Sequence, residues 1–273
     1  MPNPLTILLD PVSLSIISIY AALMIYEGIF PARKLPVVRY WRLKGVIAFF
    51  VYFYLSAYLP LLWANYLPAT PLFDLSTMNA WTGVVLGILL YEFGIYAWHR
   101  AMHHNNFLWK IFHQMHHSAE RLDTYGAYYF SPFDMLGFTA VGSLCFSVIA
   151  GFQPQTITII LLIANFLAIF QHANIKTPVW IGYLIQRPES HAYHHARNIH
   201  KHNYSDLPVF DGEPKTQAES VDRITEPEHL AERIAEAARQ NLRYGVARSS
   251  AVKDVLPYEG CSDRKSTRLN SSH

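Results

Sequence analysis

Apolar residues fall in five long runs separated by short polar stretches. They occupy residues 13–30 (SLSIISIYAALMIYEGIF), 45–63 (GVIAFFVYFYLSAYLPLLW), 81–98 (WTGVVLGILLYEFGIYAW), 135–151 and 155–171. A hydrocarbon core of roughly 30 Å needs about 20 apolar residues in an α-helix, and each run approaches that length. The last two are separated only by Gly151-Phe-Gln-Pro154, a break suited to a tight hairpin. Trp41, Trp63, Tyr66, Trp81 and Trp98 cluster toward segment ends, as expected of an aromatic belt at a membrane interface. The pattern predicts an all-α integral membrane protein with four to five membrane-embedded helices. A soluble all-helical protein is the alternative, but five such runs are too much apolar surface for so small a core.

The first run lacks a basic leader and a small-residue cleavage site, and Glu27 lies within it, so it reads as a retained helix. Between the first two runs, residues 31–44 carry Arg33, Lys34, Arg39, Arg42 and Lys44 with no acid, whereas residues 67–80 carry only Asp74. The positive-inside rule therefore places 31–44 in the cytoplasm. The chain then returns to the cytoplasm after Trp98, and the hairpin 135–171 either crosses twice or dips in without crossing.

Composition adds limits. The formal net charge is +2, and the basic residues flank a membrane segment, which gives no support for nucleic-acid binding. Cys145 and Cys261 make no disulfide framework or thiolate metal site. Beyond Asp211 the chain turns polar, and residues 227–243 fit one amphipathic helix, with His229 on it and outside any site. The expected organisation is 1–80 as N-terminal membrane helices, 81–211 as a catalytic domain including the hairpin, and 212–262 as a polar tail. Residues 263–273 (DRKSTRLNSSH) resemble the translation of a sequencing-library adapter and are set aside from the fold.

Histidine decides the chemistry. Twelve of the fourteen lie between His99 and His202, most in three clusters: His99, His103 and His104; His113, His116 and His117; His191, His194 and His195. Spacings of three and four residues return to one helical face, so each cluster is expected to aim two or three imidazoles one way. Trp81–His104 reads as one helix that emerges near Trp98, and Leu108–Ser118 as a second on which His113, His116 and His117 share a stripe, a pattern that His191, His194 and His195 repeat. His172 ends the fifth run, and the hairpin folds the third cluster back onto the first two. All of this sits on the cytoplasmic face as a histidine-rich helical cap. His200 and His202, in a polar stretch with Asn203, suit either a supporting role or simple solvation.

So many imidazoles exceed what one structural zinc takes, and no Glu-x-x-His pair of a soluble carboxylate bundle occurs. Two ions held mainly by nitrogen fit the count. Iron and zinc both suit such ligands, with iron preferred if the task is dioxygen activation. Ligand rings need their second nitrogens fixed. Glu92, two turns deeper than His99 on the same face, is the first candidate for that role; Glu120, Asp123 and Asp134 are weaker ones, Asp134 also as a helix cap after Ser131-Pro132.

The series H-x-x-x-H-H, H-x-x-H-H, Q-H, H-x-x-H-H, with HQMHHSAE and HAYHHARN as its second and third boxes, resembles the fatty acid hydroxylase superfamily over roughly residues 80–211. These are membrane di-iron enzymes that include the sterol desaturases. The resemblance implies two iron ions, with zinc as a substitute, held by His99, His103, His104, His113, His116, His117, His172, His191, His194 and His195. It implies O2 and two electrons used to hydroxylate or desaturate a lipid, whether fatty acyl, sterol or ether lipid. An external donor follows from it, a b-type cytochrome or a ferredoxin with its reductase, as does a bacterial inner membrane or endoplasmic reticulum location. The chain departs from the family pattern in following Tyr204 with Ser205 and in running Val209-Phe-Asp211 straight into Gly212-Glu-Pro-Lys.

Two readings compete. A metal transporter or storage protein would place ionisable ligands near the midplane of several helices, where Glu92 alone qualifies. An inactive or truncated family member would have lost box histidines, and all are present.

Overall fold

A computed structural model describes residues 1–119, 121–196 and 202–211. Glu120, His200, the helix expected at 227–243 and the rest of the tail lie outside the described residues. A short α1 (Pro4–Leu8) leads into α2 (Pro11–Ile29), followed by α3 (Trp41–Trp63) and α4 (Ala80–His104). Two short helices, α5 (Asn106–Leu108) and α6 (Gln114–His117), are joined by a π-helical turn over Trp109–His113. Then come α7 (Pro132–Ser143), prolonged by π-helical residues to Ile149, α8 (Pro154–His172) and α9 (Pro188–His194).

Five helices, Pro11–Ile29, Trp41–Tyr66, Ala80–His104, Pro132–Ile149 and Pro154–His172, are long and apolar enough to cross a membrane. Ile47, Val51, Leu62, Val85, Leu89 and Phe93 project from them into the surroundings, a face that only lipid would solvate well. The all-α membrane expectation is borne out, with five such helices among the described residues.

Local sequence sets where they begin. Asp10, Asn79 and Ser131 each accept the backbone N–H groups at a helix start, and Pro11 and Pro132 occupy first-turn positions where no N–H is needed. The π-helical turn before His116 interrupts the single helix expected over Leu108–Ser118. Its wider turn rotates the following histidines relative to those before it, and such turns occur mostly at functional sites.

Close approaches fix the bundle. At Gly87 a Cβ would collide with Ile160 of α8, so α4 and α8 meet backbone to side chain there. At Gly45 a Cβ would strike the Tyr125 carbonyl. Gly45→Ala is therefore expected to destabilise the fold by about 1–3 kcal/mol through overpacking, read as a lower thermal midpoint in detergent.

Not every end-of-segment aromatic faces an interface. Trp41 is buried and donates its indole N–H to Asp123 Oδ1 at 2.8 Å; Trp63 donates to Ser143 Oγ at 2.9 Å. Tyr66 and Trp81 are exposed as an interfacial residue would be.

Both the basic loop and the histidines occupy one end of the bundle. Ala32 N–H bonds the Asn174 carbonyl just past His172, and Arg121 reaches the Pro36 carbonyl. Glu27, buried at the end of α2, accepts Thr124 N–H (2.7 Å), Thr124 Oγ1–H (2.6 Å) and Asn174 N–H (3.0 Å), tying three segments together there. At the opposite end Phe73 bridges to Ala150, so the 67–79 connection caps the hairpin turn.

Candidate metal centre

α4 carries His99 and His103 out of the bundle one turn apart, and the α5–α6 segment returns across them with His113, His116 and His117. α8 ends on His172, and a connection through Val179–Tyr183 lays α9 beside it. That last connection is held by Glu189, which accepts from both Thr177 N–H and Thr177 Oγ1–H at 2.7 Å.

Among the described residues, nine imidazoles form two groups. His99, His103, His113, His117 and His194 offer nitrogens that all lie within 4.8 Å of one another, and so do His116, His172, His191 and His195. The two groups are neighbours: the rings of His117 and His195, one from each, stack with centroids 4.1 Å apart.

The expectation that each cluster aims its rings one way is corrected. In H-x-x-H-H the first and last histidines are four residues apart and share a face, while the middle one is rotated off it. Thus His113 and His117 join one group and His116 the other, whereas His191 and His195 join the second group and His194 the first. The two boxes supply both groups in opposite senses.

Proton bookkeeping shows what the groups are built to hold. The Tyr204 carbonyl, 3.1 Å from His99 Nδ1, can only accept, so His99 carries its proton on Nδ1 and leaves Nε2 as a bare lone pair. Asp134 Oδ2 takes the His113 Nδ1 proton at 2.8 Å. The Ala168 carbonyl does the same for His172 at 2.6 Å. Yet His99 Nε2 and His113 Nε2 lie 2.8 Å apart. His172 Nε2 sits 3.0 Å from both His116 Nε2 and His191 Nε2, and His191 Nε2 lies 3.0 Å from His195 Nε2.

In the His99–His113 pair both protons sit on Nδ1, so two lone pairs face each other and repel unless a cation lies between them. Metal–nitrogen bonds of about 2.1 Å at right angles put adjacent ligand nitrogens about 3.0 Å apart, which is the spacing seen. Burial first, and neighbouring imidazoles second, hold His113, His117, His191 and His195 well below the usual imidazole range; burial and the adjacent His172 and His194 do so for His116. These rings are neutral, the form that ligates. The donor set therefore fits two divalent transition-metal ions.

The other expected site residues fall elsewhere. His104 joins neither group; it is exposed, with Nδ1 2.9 Å from the Arg100 carbonyl. His202 is exposed, and Asn203 is buried; each takes φ 60. Glu92 is fully buried but touches no imidazole. Its Oε2 accepts the Asp206 N–H at 2.8 Å, anchoring the strap 203–206 whose Tyr204 carbonyl orients His99. Asp123 bonds Trp41 and Arg121 instead of a histidine. Asp134, weighed below Glu92, is the carboxylate in contact with a box histidine, and Ser131 rather than Asp134 caps α7. Its signal was the Ser131-Pro132 start, which sets residue 134 in the first turn; the backbone carbonyls of Tyr204 and Ala168 leave no signal in side-chain identity.

A cavity of about 450 Å³ begins at these rings and descends between α2, α3, α4, α7 and α8. His99, His113, His116, His172 and His191 floor one end, and Phe49, Ile95, Phe138, Ile157 and Leu161 are among its walls. Midway, Tyr128 Oη–H donates to Asn165 Oδ1 at 2.8 Å.

The family model for fatty acid hydroxylases matches residues 84–215. The ornithine lipid hydroxylase OlsE of Rhizobium tropici is 30% identical over 121 residues, 44% of this chain and 36% of that protein. Sphinganine C4-monooxygenase 1 of Arabidopsis thaliana is 29% identical over 112 residues, 40% of this chain and 43% of the relative. The very-long-chain aldehyde decarbonylase GL1-9 of Oryza sativa subsp. indica is 27% identical over 123 residues, 44% and 48%. The chain thus spans less than half the length of these curated relatives. No solved structure matches it.

Proposed function

Since the chain belongs to the fatty acid hydroxylase family through residues 84–215, we propose that it is a membrane-bound di-iron oxygenase that hydroxylates or desaturates a lipid. The observation that carries this reading is the pair of convergent nitrogen groups opening onto a long apolar cavity inside the membrane-spanning bundle. The nine grouped histidines are the ligands. His104, exposed and outside both groups, is not among them. Two iron ions held there would supply activation of O2 with two electrons from an external donor such as a b-type cytochrome or a ferredoxin. In hydroxylation one oxygen atom enters a C–H bond and the other leaves as water, with two protons consumed; in desaturation both atoms leave as water.

The protein's own part is positional. Asp134 and the Tyr204 and Ala168 carbonyls fix three ligand rings with Nε2 turned inward. Tyr204 and Trp109 pack against the rings from the outer side and keep bulk water away. The apolar walls take an alkyl chain. The basic loop 31–44, at the histidine end, supports a cytoplasmic placement of that end, from which an external donor would dock.

Two measurements test this. Purified full-length protein is expected to hold about two iron ions per chain. Lipid extracts of expressing cells should gain an oxygen or a double bond, and His116→Ala with His194→Ala should abolish that gain. Iron far below one per chain that neither substitution changes would sink the reading.

A further inference from the structure

The cavity is closed at one end and open at the other. At the histidine end its lining residues His99, His113, His116, His172, His191 and Tyr204 are all buried, and so are Ser205 and Asp206 of the strap. At the far end Ser56 and Ser147 line the same cavity and are exposed, and Val12, Pro60 and Thr158 are half-buried. The far end also differs in chemistry. Ser13 of α2, Ser56 of α3, Ser147 of the α7 extension and Thr158 of α8 place a hydroxyl toward the mouth from each of four walls. Thr158 lies fourteen residues before His172 on α8, about 21 Å away at 1.5 Å per residue.

We propose that the lipid enters tail first through this far mouth, its polar head remaining among the mouth hydroxyls, so that the carbon oxidised lies toward the methyl end of the chain. This rests on the lipid-oxidase reading and adds to it an orientation. Carbon–carbon bonds of about 1.5 Å advance an extended chain by roughly 1.3 Å per carbon, so 21 Å spans about sixteen carbons. A chain of eighteen carbons presents its last few carbons to the nitrogen groups. Shorter chains fall short of them. A head group would have to lose its water to pass the Phe49, Phe138 and Ile95 walls, whereas a methyl end loses nothing there.

Two phosphatidylcholine probes test the orientation, one with a diazirine near the methyl end of an octadecanoyl chain and one with it near the carboxyl end. After irradiation of the full-length protein in vesicles, the methyl-end probe is expected to label peptides spanning residues 127–138, and the carboxyl-end probe peptides spanning 143–161. The reverse pattern, or labelling of neither region, overturns the proposal. This readout needs no turnover, so it judges orientation even if no oxidised lipid is found, a result that would count against the oxidase reading alone.

Gly142 supplies an independent arm. It lines the cavity midway, and a Cβ there meets only Tyr91 at 3.7 Å. Gly142→Leu is expected to retain iron and carboxyl-end labelling while losing product from octadecanoyl chains, at least tenfold; Gly142→Ala should lose little. With the head at the histidines, the plug would only shorten a tail pocket. Product from chains much shorter than eighteen carbons, formed by wild type and retained in Gly142→Leu, would therefore overturn the proposal.

Discussion

His172→Ala is expected to cost more metal than His103→Ala, although both remove one imidazole. The group of His116, His172, His191 and His195 has four nitrogens, so one loss leaves three. The group of His99, His103, His113, His117 and His194 has five, so four remain after one loss. His172 is also the ring common to three contacts: its Nε2 faces His116 and His191 at 3.0 Å, and the Ala168 carbonyl fixes its Nδ1. Metal analysis of purified His172→Ala should show iron reduced by about half and product formation down by a hundredfold or more. His103→Ala should keep most of its iron, with activity reduced about tenfold. Equal losses in the two variants would mean that the fifth nitrogen is as indispensable as the fourth.

The asymmetry was not legible in the sequence, and the reason is geometric. Spacing shows which residues share a helical face: it set His99 and His103 one turn apart on one face, and it put all three histidines of each H-x-x-H-H on one stripe. It does not show that the odd residue of each H-x-x-H-H serves a second group, because that depends on where another helix arrives. α9 reaches His116 and His117 only after the hairpin has returned the chain across the bundle. The helices themselves were legible because lipid imposes one constraint on every exposed residue of a span, and that constraint repeats along it. Their starts are set locally, by the Asp10, Asn79 and Ser131 caps, which the apolar runs by themselves do not mark.

Glu92 shows the limit from the other side. Helical periodicity put it in line with His99, and burial there made a functional contact the natural expectation. Its partner is the backbone N–H of Asp206, 114 residues away, and no pattern of side chains encodes a bond to a backbone N–H. The effect on the site is indirect: Glu92 holds Asp206, the same strap carries Tyr204, and the Tyr204 carbonyl sets the His99 tautomer. Asp206 is held a second time by Gln171, whose side-chain amide donates to Oδ1 at 2.5 Å beside His172. The residues after the third box therefore belong to the site, although their departure from the family pattern at Ser205 gave no sign of it.

Asp134→Leu is the second large effect. His113 is fully buried, and its Nδ1–H has the Asp134 carboxylate as its acceptor at 2.8 Å. With leucine there, the proton loses its acceptor, and the ring is free to move its proton to Nε2 or to turn. Either change removes a lone pair from the five-histidine group. Losses of a carboxylate behind a ligand histidine typically cost about 10–100-fold in metal affinity or activity. Asp134→Asn separates orientation from charge. Its side-chain carbonyl still accepts the Nδ1 proton, so the tautomer survives while the negative charge that strengthens the ring as a donor is gone. Ser131 Oγ accepts the residue 134 N–H and is untouched by either change, so the start of α7 is expected to persist in both. Competition of each variant for iron against a chelator should rank wild type first, Asp134→Asn second and Asp134→Leu last. If Asp134→Leu held iron as tightly as wild type, the carboxylate would be a packing residue, and His113 would owe its orientation to the π-helical turn that carries it.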